Sequence, residues 1–418
     1  MKIFMLKRLG LVFSVFLLAG AMEAASAQDF HQPPPVSPRE FALMAWGGTP
    51  SDPNQLYWMK QAGLNISGFC SPDQLDKVNA AGLTCFVSDP RANRYHWKQL
   101  PDDQTIQKSV TSLVQQVANH PAALGFLMVD EPNASQLPGI GHVVSLLKHS
   151  MPSLWSYVNL LPNYTSPSQL GVPGYEAYLQ KFINEVHPAI LSYDNYSLFN
   201  GEMLDRFYTN LGAVRRVCLK AHIIFWNVII SNSHFTYMDP SAATLRLQAY
   251  TTMAYGGRGI EYFTYFAPVM GNYRLAPVDQ FGHRTPTWNK LRLLNSQIRE
   301  LAPWLARLRS TGVYHSAPVP TGENPMSQSR LVKDVLASTY QNPPVQPRYL
   351  IGEFVDPDGN PFLMIVNKDL DHSMRYAIQL KQKDKHLFEI SPYTGKETPF
   401  EGEMNWLAPG AGELFEIR

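Results

Sequence analysis

Eight short apolar runs, separated by stretches long enough for a helix, recur between Phe41 and Tyr265, and this alternation constrains the fold more than any other feature. The runs are Phe41–Trp46, Asn65–Cys70, Leu83–Asp89, Ala123–Glu131, Trp155–Leu160, Ile190–Tyr196, Ile223–Ile230 and Gly259–Tyr265. Segments between them, such as Thr105–Asn119, Ile140–His149, Gly174–Val186 and Ser241–Tyr255, are amphipathic and long enough for crossover helices. Strands buried on both faces read as continuous apolar stretches, and strands joined by helices pair in parallel. Eight such units predict a closed (β/α)8 barrel. An open doubly wound sheet is the alternative, but no glycine-rich phosphate loop follows the first run.

Beyond Trp304–Leu308 the pattern changes. Residues 313–346 carry several prolines and few periodic apolar positions, which predicts a connecting segment. Tyr349–Val355, the turn Asp356–Pro361 and Phe362–Asn367 read as a hairpin, and further short strands predict an antiparallel β-sandwich over 347–418. At the other end, Lys2, Lys7 and Arg8 precede the apolar Leu9–Gly20, and Ala25-Ser-Ala27 supplies small residues for cleavage. A signal peptide is therefore expected over 1–27, an exported protein after it, and a barrel over 28–312. No later segment is apolar for long enough to span a membrane.

The net charge of +1, with 17% charged residues, offers no basic stripe for nucleic acid. Three cysteines leave at least one thiol unpaired. Cys70 and Cys85 fall on consecutive predicted strands, where a bridge and two buried thiols are both open. The histidines are scattered without a His-Glu-x-x-His pair, and neither a calcium loop nor a Gly-x-Ser-x-Gly elbow occurs, so no metal or cofactor is expected.

The fourth run ends in Val129-Asp-Glu-Pro132, two carboxylates and a proline that stops the ladder, where a barrel strand reaches the catalytic mouth. This ending resembles the Asn-Glu-Pro of strand four in the large clan of (β/α)8 glycoside hydrolases, with Asp130 replacing the asparagine. Val158–Tyr164, Leu191–Tyr196 and Tyr255–Tyr265 are similar to segments of secreted bacterial glycosyl hydrolase-like proteins. The tail Leu407–Phe415 resembles the closing strand of sandwich domains attached to such barrels. The resemblance implies Glu131 as acid/base and a glutamate nucleophile ending strand seven. That strand reads Phe225-Trp-Asn-Val-Ile-Ile-Ser-Asn232, without a carboxylate.

Glycoside cleavage needs two carboxyl groups across the bond. Asp194, at the end of strand six between tyrosines, is the preferred partner of Glu131; its competing role is a helix-capping aspartate. Glu261 ranks second, because alternation points it inward but deep, which suits an ion pair with Arg258 or another cation. Asp130 either sits beside Glu131 to bind a sugar hydroxyl, where the like charge raises the pKa of one of the two, or points away and anchors a loop. Trp46, Tyr164, Tyr196, Trp226 and Tyr265 are candidate stacking residues, in a chain that is 12% aromatic. Asn159, Asn163 and Asn227 are candidate hydroxyl partners. The expected function is a secreted glycoside hydrolase acting on polysaccharide or oligosaccharide. The rival is a carbohydrate-binding protein on a catalytically inert barrel.

Overall fold

Each apolar run forms one barrel strand: β1 (Ala42–Ala45), β2 (Ile66–Cys70), β3 (Thr84–Val87), β4 (Ala123–Asp130), β5 (Trp155–Leu160), β6 (Ile190–Asp194), β7 (Ile224–Ile230) and β8 (Gly259–Phe263). This computed structural model describes residues 33–402 and 405–418, so the expected signal peptide lies outside the described residues. The strands are parallel and close in chain order, with β8 hydrogen-bonded to β1. Their principal helices are α1 (Pro53–Gln61), α2 (Leu75–Ala80), α3 (Asp103–Val117), α4 (Leu137–Ser150), α5 (Tyr175–Val186), α6 (Asp205–Ala221), α7 (Ala242–Ala254) and α8 (Pro286–Leu305).

Local chemistry sets several helix ends. Asp52, Asp102 and Ser241 accept hydrogen bonds from the first-turn amides of α1, α3 and α7, replacing partners those amides lack. Inside the barrel, Ala42, Met44, Ile66, Phe86, Leu124, Tyr157, Ile190 and Trp226 form the packed interior. A side chain at Gly259 would meet the Trp226 indole at 2.4 Å, so the glycine opening β8 makes room for that tryptophan. Cys70 and Cys85 are joined in a disulfide between β2 and β3, and Cys218 is a buried free thiol.

The sandwich begins earlier than the sequence suggested. Strand β9 (Arg309–His315) crosses the expected boundary between barrel and linker, and β10 (Asn324–Pro325) and β11 (Val332–Ser338) lie within the expected linker 313–346. A bulge between Val332 and Asp334 breaks the alternation that would have marked β11. There follow β12 (Tyr349–Val355), β13 (Pro361–Asn367), β14 (Met374–Leu380), β15 (Leu387–Ile390), β16 (Glu397–Pro399), β17 (Trp406–Leu407) and β18 (Gly412–Ile417). The larger sheet runs β10-β9-β12-β13-β18-β15-β16 and the smaller β11-β14-β17.

The larger sheet is buried on both sides. Ile351, Leu363, Ile365 and Phe415 face the smaller sheet, with Val335, Met374 and Tyr376 in the same core. Leu350, Phe354, Phe362, Met364 and Leu414 belong instead to the core that contains Tyr250, Met253 and Ala254 of the barrel. At Gly352 a Cβ would lie 2.1 Å from the Ala254 carbonyl oxygen, which explains glycine at this contact.

The disulfide spans 15 residues, and closing a loop of that length in the unfolded chain is worth about 3 kcal/mol. Cys70→Ser is expected to lower unfolding stability by about 2 to 3 kcal/mol, read as a lower denaturant midpoint. Added reductant is expected to lower the wild type to the same level while leaving the variant unchanged.

Candidate active site

Strand β4 ends by delivering two carboxylates to the barrel mouth. Asp130 pairs in register with Asn159 of β5, and the next amide, Glu131 N–H, donates to the Asn159 carbonyl at 2.8 Å. Glu131 has φ +48°, a left-handed conformation uncommon for a side chain of this size. Its neighbour Pro132 carries no N–H, and the Pro132 carbonyl instead accepts from Tyr178 Oη at 2.6 Å. The chain thus turns off the ladder while Glu131 stays beside β5.

Asn159 organises the acids. Its Nδ2 donates to Asp130 Oδ1 and to Asp194 Oδ1, each at 3.0 Å. Asp194 ends β6 and is 5% exposed, whereas Asp130 and Glu131 are open to solvent. Glu131 and Asp194 lie within hydrogen-bonding reach of each other. Burial, then the Glu131 charge, hold the Asp194 carboxyl well above the usual range, and the Asn159 amide offsets part of that. Partial desolvation by the surrounding protein, then the Asp130 charge, raises Glu131, and partial desolvation raises Asp130. Among the described residues, no lysine, arginine or histidine forms an ion pair with these acids. Adjacent carboxyls without a cation resist ionising together, so Glu131 and Asp194 titrate as a coupled pair, with Asp194 raised the more strongly.

One layer deeper, Glu261 is fully buried. It accepts from Tyr157 Oη at 2.6 Å and from Ser192 Oγ at 2.7 Å. The expected ion pair with Arg258 does not form: that guanidinium donates to the Leu308 carbonyl at 3.0 Å. Two hydroxyls stabilise the carboxyl less than a cation would, and burial pushes its pKa up to about 7.

The mouth is rimmed by aromatic rings. Tyr196 stacks on Phe263 with centroids 5.3 Å apart, and His234 stacks on Tyr273 at 4.7 Å. Trp46 meets Phe69 and Phe263 edgewise, while its Nε1 donates to Tyr157 Oη at 3.1 Å. Tyr164 is 41% exposed, with the Arg206 guanidinium 4.3 Å from its ring centre.

Glu131, Asp130, Asp194, Trp46, Tyr164 and Tyr196 are therefore brought to one end of the barrel. Four sequence candidates lie elsewhere. Trp226 is fully buried against Phe86, Trp155 and Tyr157 in the barrel interior. Its neighbour Asn227 points the opposite way and donates to Thr252 Oγ1 of α7 at 2.8 Å. Tyr265 follows β8 and accepts from Trp288 Nε1 at 2.9 Å, leaving it 1% exposed. Asn163 turns toward α6, donating to the Arg206 carbonyl and Thr209 Oγ1. Tyr157, Ser192 and Phe263 were overlooked. Each sits two residues from a recognised inward position, at Asn159, Asp194 and Glu261, so strict alternation was the signal that would have found them.

No known family model matches the chain, and no curated protein sequence matches it. Solved structures do. A catalytic mutant of a GH42 beta-galactosidase from G. stearothermophilus aligns with TM-score 0.56 and 9% identity over 91% of this chain and 98% of that one. A glycoside hydrolase family 5 protein from Bacteroides vulgatus aligns with TM-score 0.54 and 11% identity, over 90% and 88%. A beta-galactosidase from the psychrophilic Marinomonas ef1 aligns with TM-score 0.51 and 10% identity over 65% of this chain, which spans only 63% of that enzyme's length. At such identities the likeness establishes the fold, a glycoside-hydrolase-like (β/α)8 barrel followed by a β-sandwich.

The buried Glu261 carries a stability consequence. A carboxyl whose folded pKa lies above its unfolded value favours the folded state in acid, and that advantage is lost as pH rises through about 7. Wild-type melting temperature is expected to fall between about pH 5 and pH 8. Glu261→Gln is expected to flatten that slope by on the order of 1 to 3 kcal/mol, measured by melts across the pH series.

Proposed function

We propose that the chain is an exported glycoside hydrolase acting on polysaccharide or oligosaccharide, with Glu131 as the general acid. The observation that carries this reading is the placement of the solvent-open Glu131 beside the buried Asp194 at one barrel mouth, each carboxyl raised above its ordinary range, so that in this reading the two share one proton. One proton on two carboxyls supplies one acid and one base, the minimum set for cleaving a glycosidic bond. In this reading Glu131 takes the proton from Asp194 as the sugar enters and gives it to the leaving oxygen, and the Asp194 carboxylate so formed faces the positive charge that develops at the anomeric carbon. Hydrolysis of this kind separates the two groups by about 5 to 10 Å, so turnover requires the Glu131–Asp194 contact to open around the sugar. The rings of Trp46, Tyr164 and Tyr196 offer apolar faces for sugar rings near the acids. The basic and apolar leader at Lys2–Gly20 and the Cys70–Cys85 disulfide both suit an exported, oxidising environment.

A second reading, a carbohydrate-binding barrel without turnover, is favoured by strand β7. It ends in the apolar Val228-Ile-Ile230, where the hydrolases that the sequence resembles place a glutamate.

The test is hydrolysis of a panel of aryl glycosides and polysaccharides by the mature protein, beside Glu131→Gln and Asp194→Asn. The hydrolase reading expects measurable turnover and a loss in kcat/KM of about a thousandfold in Glu131→Gln. Sugar binding without turnover by the wild type would replace it with the second reading, and neither turnover nor binding would sink both.

A further inference from the structure

Beneath the mouth acids, the hydroxyls of Tyr157 and Ser192 must serve more partners than they have protons. Four oxygen–oxygen contacts lie within hydrogen-bond distance: Tyr157 Oη to Glu261 Oε2 at 2.6 Å, Ser192 Oγ to Glu261 Oε1 at 2.7 Å, Tyr157 Oη to Ser192 Oγ at 2.9 Å, and Ser192 Oγ to Asn159 Oδ1 at 3.2 Å. The two hydroxyls supply one proton each. With Glu261 ionised, both are drawn to its oxygens, because a charged acceptor binds a proton more strongly than a neutral amide. Asn159 Oδ1 is then left facing a bare hydroxyl oxygen. With Glu261 neutral, its own proton joins the set, and the Ser192 proton is free to reach Asn159 Oδ1.

We propose that Glu261 is a positioning residue for the mouth carboxylates and acts through Ser192, whose hydroxyl proton anchors Asn159 when Glu261 is neutral and leaves Asn159 when Glu261 is ionised. Asn159 is the amide that binds both Asp130 and Asp194, so a change at its carbonyl side reaches both acids through one planar group. The surroundings of Glu261 leave few other routes. Tyr157 from β5 and Ser192 from β6 are its hydrogen-bond partners. Met44 of β1 and Val228 of β7 stand beside it in register, and Asp130 of β4 is the charge that acts on it. Tyr157 is steadied in turn by Trp46 Nε1. Among the described residues no cation pairs with Glu261 to hold it ionised. As a statement about catalysis the inference rests on the hydrolase reading; as a statement about protons it stands without turnover.

The experiment follows the side-chain amide resonance of Asn159 in isotope-labelled full-length protein through a pH titration, in wild type, Ser192→Ala and Glu261→Gln. Ser192→Ala removes the intermediary, and Glu261→Gln keeps the shape while removing the titration, so the two variants break the link independently. Wild type is expected to show a step with midpoint near 7, in addition to those from Asp130, Glu131 and Asp194. Both variants are expected to lose that step and keep the others. If the step persists in Ser192→Ala, or Asn159 titrates identically in all three proteins, the inference is wrong. Where turnover is found, both variants are also expected to lose the same ionisation from the pH profile of kcat/KM. Absence of turnover would overturn the hydrolase reading and leave the amide titration to decide this one.

Discussion

In a closed barrel, an inward-pointing polar group finds partners only among other inward-pointing groups, and the chemistry of this molecule follows from that confinement. Asp130 of β4, Tyr157 and Asn159 of β5, Ser192 and Asp194 of β6 and Glu261 of β8 satisfy one another. No guanidinium or ammonium takes part in these contacts. Ionising a carboxyl there without a cation is costly, so the pKa values of the acids are raised. The raised pKa values at the mouth are in this sense a product of barrel closure, with Asn159 as the shared joint.

The strands were legible because burial on both faces writes a continuous apolar run, and Trp155–Leu160 and β4 appear within a residue of where the sequence places them. Less legible was which way each side chain points. Trp226 and Asn227 are adjacent, yet one fills the barrel and the other reaches α7, a distinction that depends on the phase of the two-residue repeat. Glu261 was recognised as inward and deep, but its partners come from strands 104 and 69 residues away, beyond any local pattern. The expected linker failed for a different reason. Prolines and a bulge hid strands that are held by tertiary pairing with β12 and β14, not by local propensity.

Glu131 illustrates how backbone and chemistry meet at a strand end. Its left-handed φ costs conformational energy, and the hydrogen bond that its N–H donates to the Asn159 carbonyl helps to hold it. The same residue, Asn159, thereby fixes the Glu131 backbone through its main chain and the Asp130 and Asp194 carboxyls through its side chain.

The larger sheet of the sandwich lies between two cores, one shared with the smaller sheet and one shared with the barrel. Cutting the chain after α8 would uncover Tyr250, Met253 and Ala254 together with the sheet residues that cover them. An apolar surface of that kind favours association, so each layer serves as the other's cover and the barrel depends on the sandwich to keep this face from water.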